Sequence, residues 1–179
     1  MNNSTNMKLY FENYYTALTI FKEFNETVVI IFEQDLWAWL FALVNNNVFS
    51  SANTMPIAIK STNLTYLQTF DVPENLFGFA QSLLMLKKQV APKAIISFYW
   101  SSWIYGPDYL YYSSSFSYLE FCIIQAAHLM STLESTNYKF DIIATSFGFY
   151  DSDWYYINEC DTRFWLDTNQ TTTYNDNKL

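Results

Sequence analysis

The chain reads as an α/β protein whose parallel strands alternate with helices. Three apolar runs, "VVIIF", "KAIISFYW" and "FDIIATSF", are separated by longer stretches of helical periodicity. The first run is apolar at every position, as in a strand covered on both faces of a parallel sheet. Each run leads into a segment rich in polar and aromatic residues. At 179 residues the chain has the length for one domain with a sizeable core.

Taken in order, "KLYFENYYTALTIFKEF" (8–24) sets Leu9, Leu18, Phe21 and Phe24 near helical spacing, with Lys22 and Glu23 turned outward. "NET" turns the chain into the first strand, Val28 to Phe32. "LWAWLFALV" continues as a short helix or an apolar loop, and Asn45 to Asn47 stop it. "MPIAIKS", Met55 to Ser61, is a shorter strand candidate that Lys60 and Ser61 close early. "DVPENLFGFAQSLLMLKKQ" carries helix start signals: Asp71 as cap, Pro73 in the first turn and Glu74 against the positive end of the dipole. Leu76, Phe79, Leu83 and Leu86 form its apolar stripe, Lys87 and Lys88 suit its last turn, and Ala91-Pro92 ends it before the strand Lys93 to Trp100. A long aromatic loop with a Gly106-Pro107 turn follows, then a helix from Phe116 to Ser135 and a strand from Phe140 to Phe147. The domain accordingly covers 1–168, and the polar stretch 169–179 reads as a disordered tail.

Charge and motifs exclude several function classes. A net charge of −8 without a basic patch argues against nucleic acid, whose phosphates need Lys and Arg. The longest apolar stretch, "VVIIFEQDLWAWLFALV", is broken by Glu33, Gln34 and Asp35, so no membrane span is expected. "MNNSTNMKLYF" shows no charged region followed by an apolar one, so no signal peptide is visible and the compartment is left open. Sequons begin at Asn2, Asn3, Asn25, Asn63 and Asn169, a pattern that an asparagine-rich chain meets by chance. Cys122 and Cys160 have no CxxC partner and the chain has one histidine, His128, so no metal site is expected; the thiols either pair or stay free. With three glycines and no G-x-G-x-x-G or G-x-x-x-x-G-K-[ST], no nucleotide cofactor is expected. His128, mid-helix in "QAAHLMS", reads as a helix-face residue rather than the base of a Ser-His-Asp triad.

In parallel α/β sheets the ligand site lies beyond the carboxyl ends of the strands. There the sequence repeats one chemistry: Glu33-Gln34-Asp35-Leu36-Trp37, Ser101-Ser102-Trp103, and Tyr150-Asp151-Ser152-Asp153-Trp154. Glu33 and Asp35, two apart on a strand, would share a face with Cα atoms about 7 Å apart. Trp37, Trp103 and Trp154 suit stacking on sugar rings, with plain core packing as the alternative for each.

Aligned on these strand ends, the chain resembles a family of secreted (β/α)8-barrel proteins of the glycoside hydrolase type. Its members end one strand in a pattern like "VHVEPDLWGYL", matched here by "IIFEQDLWAWL". They continue with a segment of the form "GFAQAL…YAPNVLLAYHxSxW", matched by "GFAQSLLMLKKQVAPKAIISFYWSSW". A third block like "FDVVFTDPSDRDAGF" is matched by "FDIIATSFGFYDSDWY". The likeness runs from Met7 to Asp167, with Gln34 in place of the family's proline, Tyr99 in place of its strand histidine and Ser146 in place of its first Asp; of the DRD pair only Asp151 is kept.

The resemblance implies a TIM-barrel-like fold and a carbohydrate partner, polysaccharide or oligosaccharide, with no cofactor. At the matching positions it implies Glu33 as the acid, Asp35 or Asp151 steering water or holding a hydroxyl, and Trp37, Ser101 and Trp103 contacting sugar; Trp154, by its residue type, and Tyr99, at the family's histidine position, are further candidates for sugar contact. A full barrel takes about 250 residues. With three clear strands, this chain is expected to be an incomplete (β/α)8 segment that needs missing barrel segments or a partner chain to close. The alternative function is a catalytically inactive carbohydrate-binding or vestigial fragment, since Tyr99 removes a group that titrates near neutrality.

Overall fold

Met7, Phe11, Tyr14 and Leu18 recur at steps of four and three, and this stripe is what buries the first helix, α1 (Ser4–Phe24). Asn3 caps it by accepting the Asn6 N–H at 3.0 Å, and Asn25 ends it in the left-handed conformation (φ 59°) that asparagine tolerates. Leu9 and Phe24, expected on the inner stripe, are exposed. Leu9 lies two residues from Met7, about 200° around the helix, so it points away from the core. The computed structural model describes residues 1–32, 36–45, 53–100 and 116–145.

The described elements continue as β1 (Val29–Ile30), α2 (Leu36–Asn45), a 3₁₀ turn (Lys60–Thr62), α3 (Thr65–Gln68), α4 (Leu76–Val90), β2 (Ile95–Trp100), α5 (Phe116–Leu133) and β3 (Ile142–Thr145). The fold is mixed α/β around a three-stranded parallel sheet in the order β1-β2-β3. Val29 and Ile30 pair with Ile95 and Ile96, and Ser97 to Trp100 pair with Ile142 to Thr145. Strands and helices alternate loosely: α2, the 3₁₀ turn, α3 and α4 all lie between β1 and β2.

One sheet face meets the helices. Ile30, Phe32, Ile96 and Phe98 are buried there, with Phe32 against Tyr14 of α1 and Phe98 stacked on Trp37 of α2. In turn α4 packs on both α1 and α5. On the opposite face, Val29, Ile31 and Ile142 are 47%, 56% and 41% exposed. The run "VVIIF" is therefore covered on one face only, which corrects the expectation of a strand buried on both.

Helix α4 is the core helix, with Leu76, Phe79, Leu83 and Leu86 all fully buried as their spacing predicts. Each such side chain contributes about 1.5–3 kcal/mol by leaving water. Its start differs from the expected one: Asn75, not Asp71, is the cap, its side chain accepting the Gly78 N–H at 2.9 Å. Glu74 is released from the helix to order the preceding loop. Its carboxylate accepts the N–H groups of Ile59 (3.1 Å) and Ser61 (2.9 Å), and its carbonyl accepts that of Ile57 (3.1 Å).

This explains why 55–61 is no ladder strand. Its backbone bonds to 74–76 instead, leaving one isolated antiparallel bridge, Pro56 to Asn75, while Met55, Ile57 and Ile59 fill the core. Gln81, a polar residue buried in α4, donates to the carbonyl of Leu133 at 2.6 Å and accepts from the Ser135 hydroxyl at 2.6 Å. It thus satisfies a carbonyl that the end of α5 would leave orphaned.

Two predictions follow from α4 and its entry. A Cβ added at Gly78 would stand 1.8 Å from the Pro73 carbonyl oxygen, a backbone atom that cannot step aside cheaply. Gly78→Ala should cost about 3 kcal/mol, read as a lowered urea midpoint with the slope unchanged. The backbone N–H of Ser61, with help from that of Ile59, holds the Glu74 carboxyl below its ordinary value of 4.5, against an opposing effect of burial that is second in size to the Ser61 bond. A depressed folded value means the stabilisation is present above that pH and is lost as pH falls through the folded value. Glu74→Gln, which keeps an acceptor but not the charge, should lower stability at pH 7 and match the parent once both are acidified well below 4.5.

Candidate functional site

The three strands are held in register by side-chain bonds as well as by the ladder. The Ser97 hydroxyl donates to the Ile30 carbonyl at 2.9 Å, fastening β2 to β1. The Asp141 carboxylate accepts the Ile96 N–H at 2.8 Å and the Lys87 ammonium at 2.9 Å, while the Asp141 N–H donates to the Ile96 carbonyl at 2.9 Å. These bonds fix β3 against β2 one residue before β3 begins. Phe32, Trp100 and Thr145 consequently stand at one end of the sheet; in the sequence they are followed by Glu33, Ser101 and Ser146.

Two of the residues predicted for the site lie among those described. Trp37 is fully buried: its ring stacks on Phe98 (centroids 5.7 Å, 28° between planes) and meets Phe32, Phe79 and Phe140 at 6.2, 6.0 and 5.6 Å. Its indole N–H is buried with no acceptor among the described residues. Of the two roles the sequence leaves open for this residue, its place among these rings is core packing. Tyr99 is buried in β2 beside Ala144 and alternates to the face opposite Phe98, so the fold does not bring Trp37 and Tyr99 together. Glu33, Asp35, Ser101, Trp103, Asp151 and Trp154 lie outside the described residues, as does Cys160. His128 is exposed on α5.

Perturbed ionisations among the described residues belong to packing. Burial, reinforced by Tyr10, pushes the Tyr14 phenol well above its usual value while its hydroxyl donates to the Leu83 carbonyl at 3.1 Å. Tyr66, stacked on Tyr15 at 4.5 Å, is pushed up to about 12 by burial and then by Glu12 and Tyr15. Among the described residues no group of three His, Cys, Asp or Glu is placed to hold a metal ion, and no helix is long and apolar enough to cross a membrane.

Sequence reasoning passed over Ser97, Gln81 and Asp141, the side chains that hold the strand ends in register and the helices to them. One signal was available: Gln81 interrupts the apolar run "GFAQSLLML". Comparison with family models, with curated proteins and with solved structures returns no match to this chain.

The buried indole generates a graded prediction. Trp37→Ala should cost about 3–5 kcal/mol through the cavity it leaves. Trp37→Phe should cost clearly less, because it keeps a ring against Phe98 and removes the unpaired N–H. Thermal unfolding of the two variants against the parent checks the order.

Proposed function

We propose that the chain is a segment of a glycoside hydrolase-like (β/α) barrel that acts on or binds a polysaccharide at the carboxyl ends of its strands. The observation that supports this most is the winding. Strands β1, β2 and β3 are parallel and neighbour one another in chain order, and α4 between the first two packs on α5 between the last two. A sheet wound in one direction with its crossover helices on one side is how a (β/α) barrel is built, whereas a doubly wound sheet reverses order. The face away from the described helices, carrying Val29, Ile31, Ser97, Tyr99 and Ile142, then corresponds to a barrel interior, and Glu33 is two residues beyond Ile31.

In this reading Glu33 protonates the leaving oxygen, and Asp35 or Asp151 directs water or holds a sugar hydroxyl. Trp103 and Trp154 stack on pyranose faces and Ser101 bonds a hydroxyl. The segment reaches its full core with further barrel strands or a partner chain. A second reading, a carbohydrate binder without turnover, is favoured by Tyr99: it stands buried on β2 where the resembled family has a histidine able to exchange a proton near neutrality.

Reducing-end release from a panel of polysaccharides, with binding measured in parallel, separates the two. The hydrolase predicts that Glu33→Gln lowers turnover on the order of a thousandfold with binding retained. Binding without release by the natural chain selects the second reading, and neither binding nor release removes both.

A further inference from the structure

At the opposite end of the sheet from the strand carboxyl ends, a cleft of about 490 Å³ opens between the last turns of α4 and the segment that enters β3. Its walls are Leu84, Pro92 and Phe140, and Lys87, Lys88, Lys139 and Asp141 also line it. The whole chain has nine Lys and Arg against seventeen Asp and Glu, yet three of those cations converge here with a single carboxylate. That carboxylate is already engaged. Asp141 accepts from Lys87 and from the Ile96 N–H, so Lys87 and Asp141 neutralise each other. Among the described residues no carboxylate pairs with Lys88 or Lys139.

The Lys88 ammonium sits 4.9 Å from the centre of the Tyr138 ring, which also lines the cleft. A ring face attracts the charge without taking up the three N–H donors. Thr136 and Asn137 add a hydroxyl and an amide to the same wall.

Lysines in the last turn of a helix ordinarily complement its carbonyl end. That accounts for Lys87 and Lys88 but not for Lys139, which comes from a different segment, nor for the cleft between them. From this convergence we propose that the cleft binds a small multivalent oxyanion, phosphate-bearing or polycarboxylate, held by Lys88 and Lys139 with the Tyr138 ring beneath. A compact anion with several oxygens can take charge-assisted bonds from both ammonium groups at once. This site is independent of the carbohydrate reading, since it lies at the other end of the strands and uses none of the residues assigned there.

The test is a titration of the full chain with inorganic phosphate and, separately, with citrate, at constant ionic strength set with chloride. The readouts are the lysine side-chain NMR shifts and the melting temperature. The expected result is saturable binding that moves the Lys88 and Lys139 signals, with the tighter of the two probes identifying the phosphate or the carboxylate class. The double variant Lys88→Gln, Lys139→Gln should weaken it at least tenfold. Lys8→Gln with Lys22→Gln, which removes the same charge on α1, should leave it unchanged. Non-saturable shifts, or equal weakening by the two double variants, would mean only diffuse attraction to positive charge and would overturn the proposal.

Discussion

Trp37 stacked on Phe98 is the contact on which the described structure depends. The indole touches Phe32 at the exit of β1, Phe79 in α4, Phe98 in β2 and Phe140 at the entry to β3. Elements far apart in the chain therefore share one buried ring. Aromatic pairs add about 0.5–1.5 kcal/mol each beyond the area they bury, and here the rings form a connected set. An indole N–H with no acceptor among the described residues is the cost of putting so large a ring at that point.

Around this ring the backbone is held by few, specific polar contacts. Ser97 fastens β2 to β1, Asp141 fastens β3 to β2, and Gln81 satisfies the end of α5. Gly78 allows the first turn of α4 to lie against Pro73. Within the stretch Gly78-Phe79-Ala80-Gln81, each residue thus has a packing or backbone role.

One face of the sheet meets no described helix, and its outer positions are exposed while Ser97 and Tyr99 on it are buried. Val29, Ile31 and Ile142 present apolar surface on this face, and the outer edge of β3 has no strand paired to it among the described residues. Ile143 is also exposed, on the other face of the same strand. Apolar surface of this kind beside a strand edge is what a folded chain covers with further strands or with a partner.

Periodicity alone determined the α/β class, the parallel strands, the α4 stripe and the positions of α1, α5 and β2, because each follows from where apolar residues recur within one segment. What it misplaced were contacts between segments. Leu9 and Phe24 looked equivalent to Leu18 until the true stripe, Met7 to Leu18, was set by what α1 packs against. The run Met55 to Ile59 has the composition of a strand, but its partner is Glu74 and its neighbours, a relation that no local pattern encodes. Asp71 has the chemistry of a cap, yet Asn75 is the cap because Gly78 can approach Pro73 only if the helix begins there. The same holds for Trp37. Its sequence neighbours make it a candidate for sugar stacking, whereas its place among four rings is decided by the docking of α2 on the sheet.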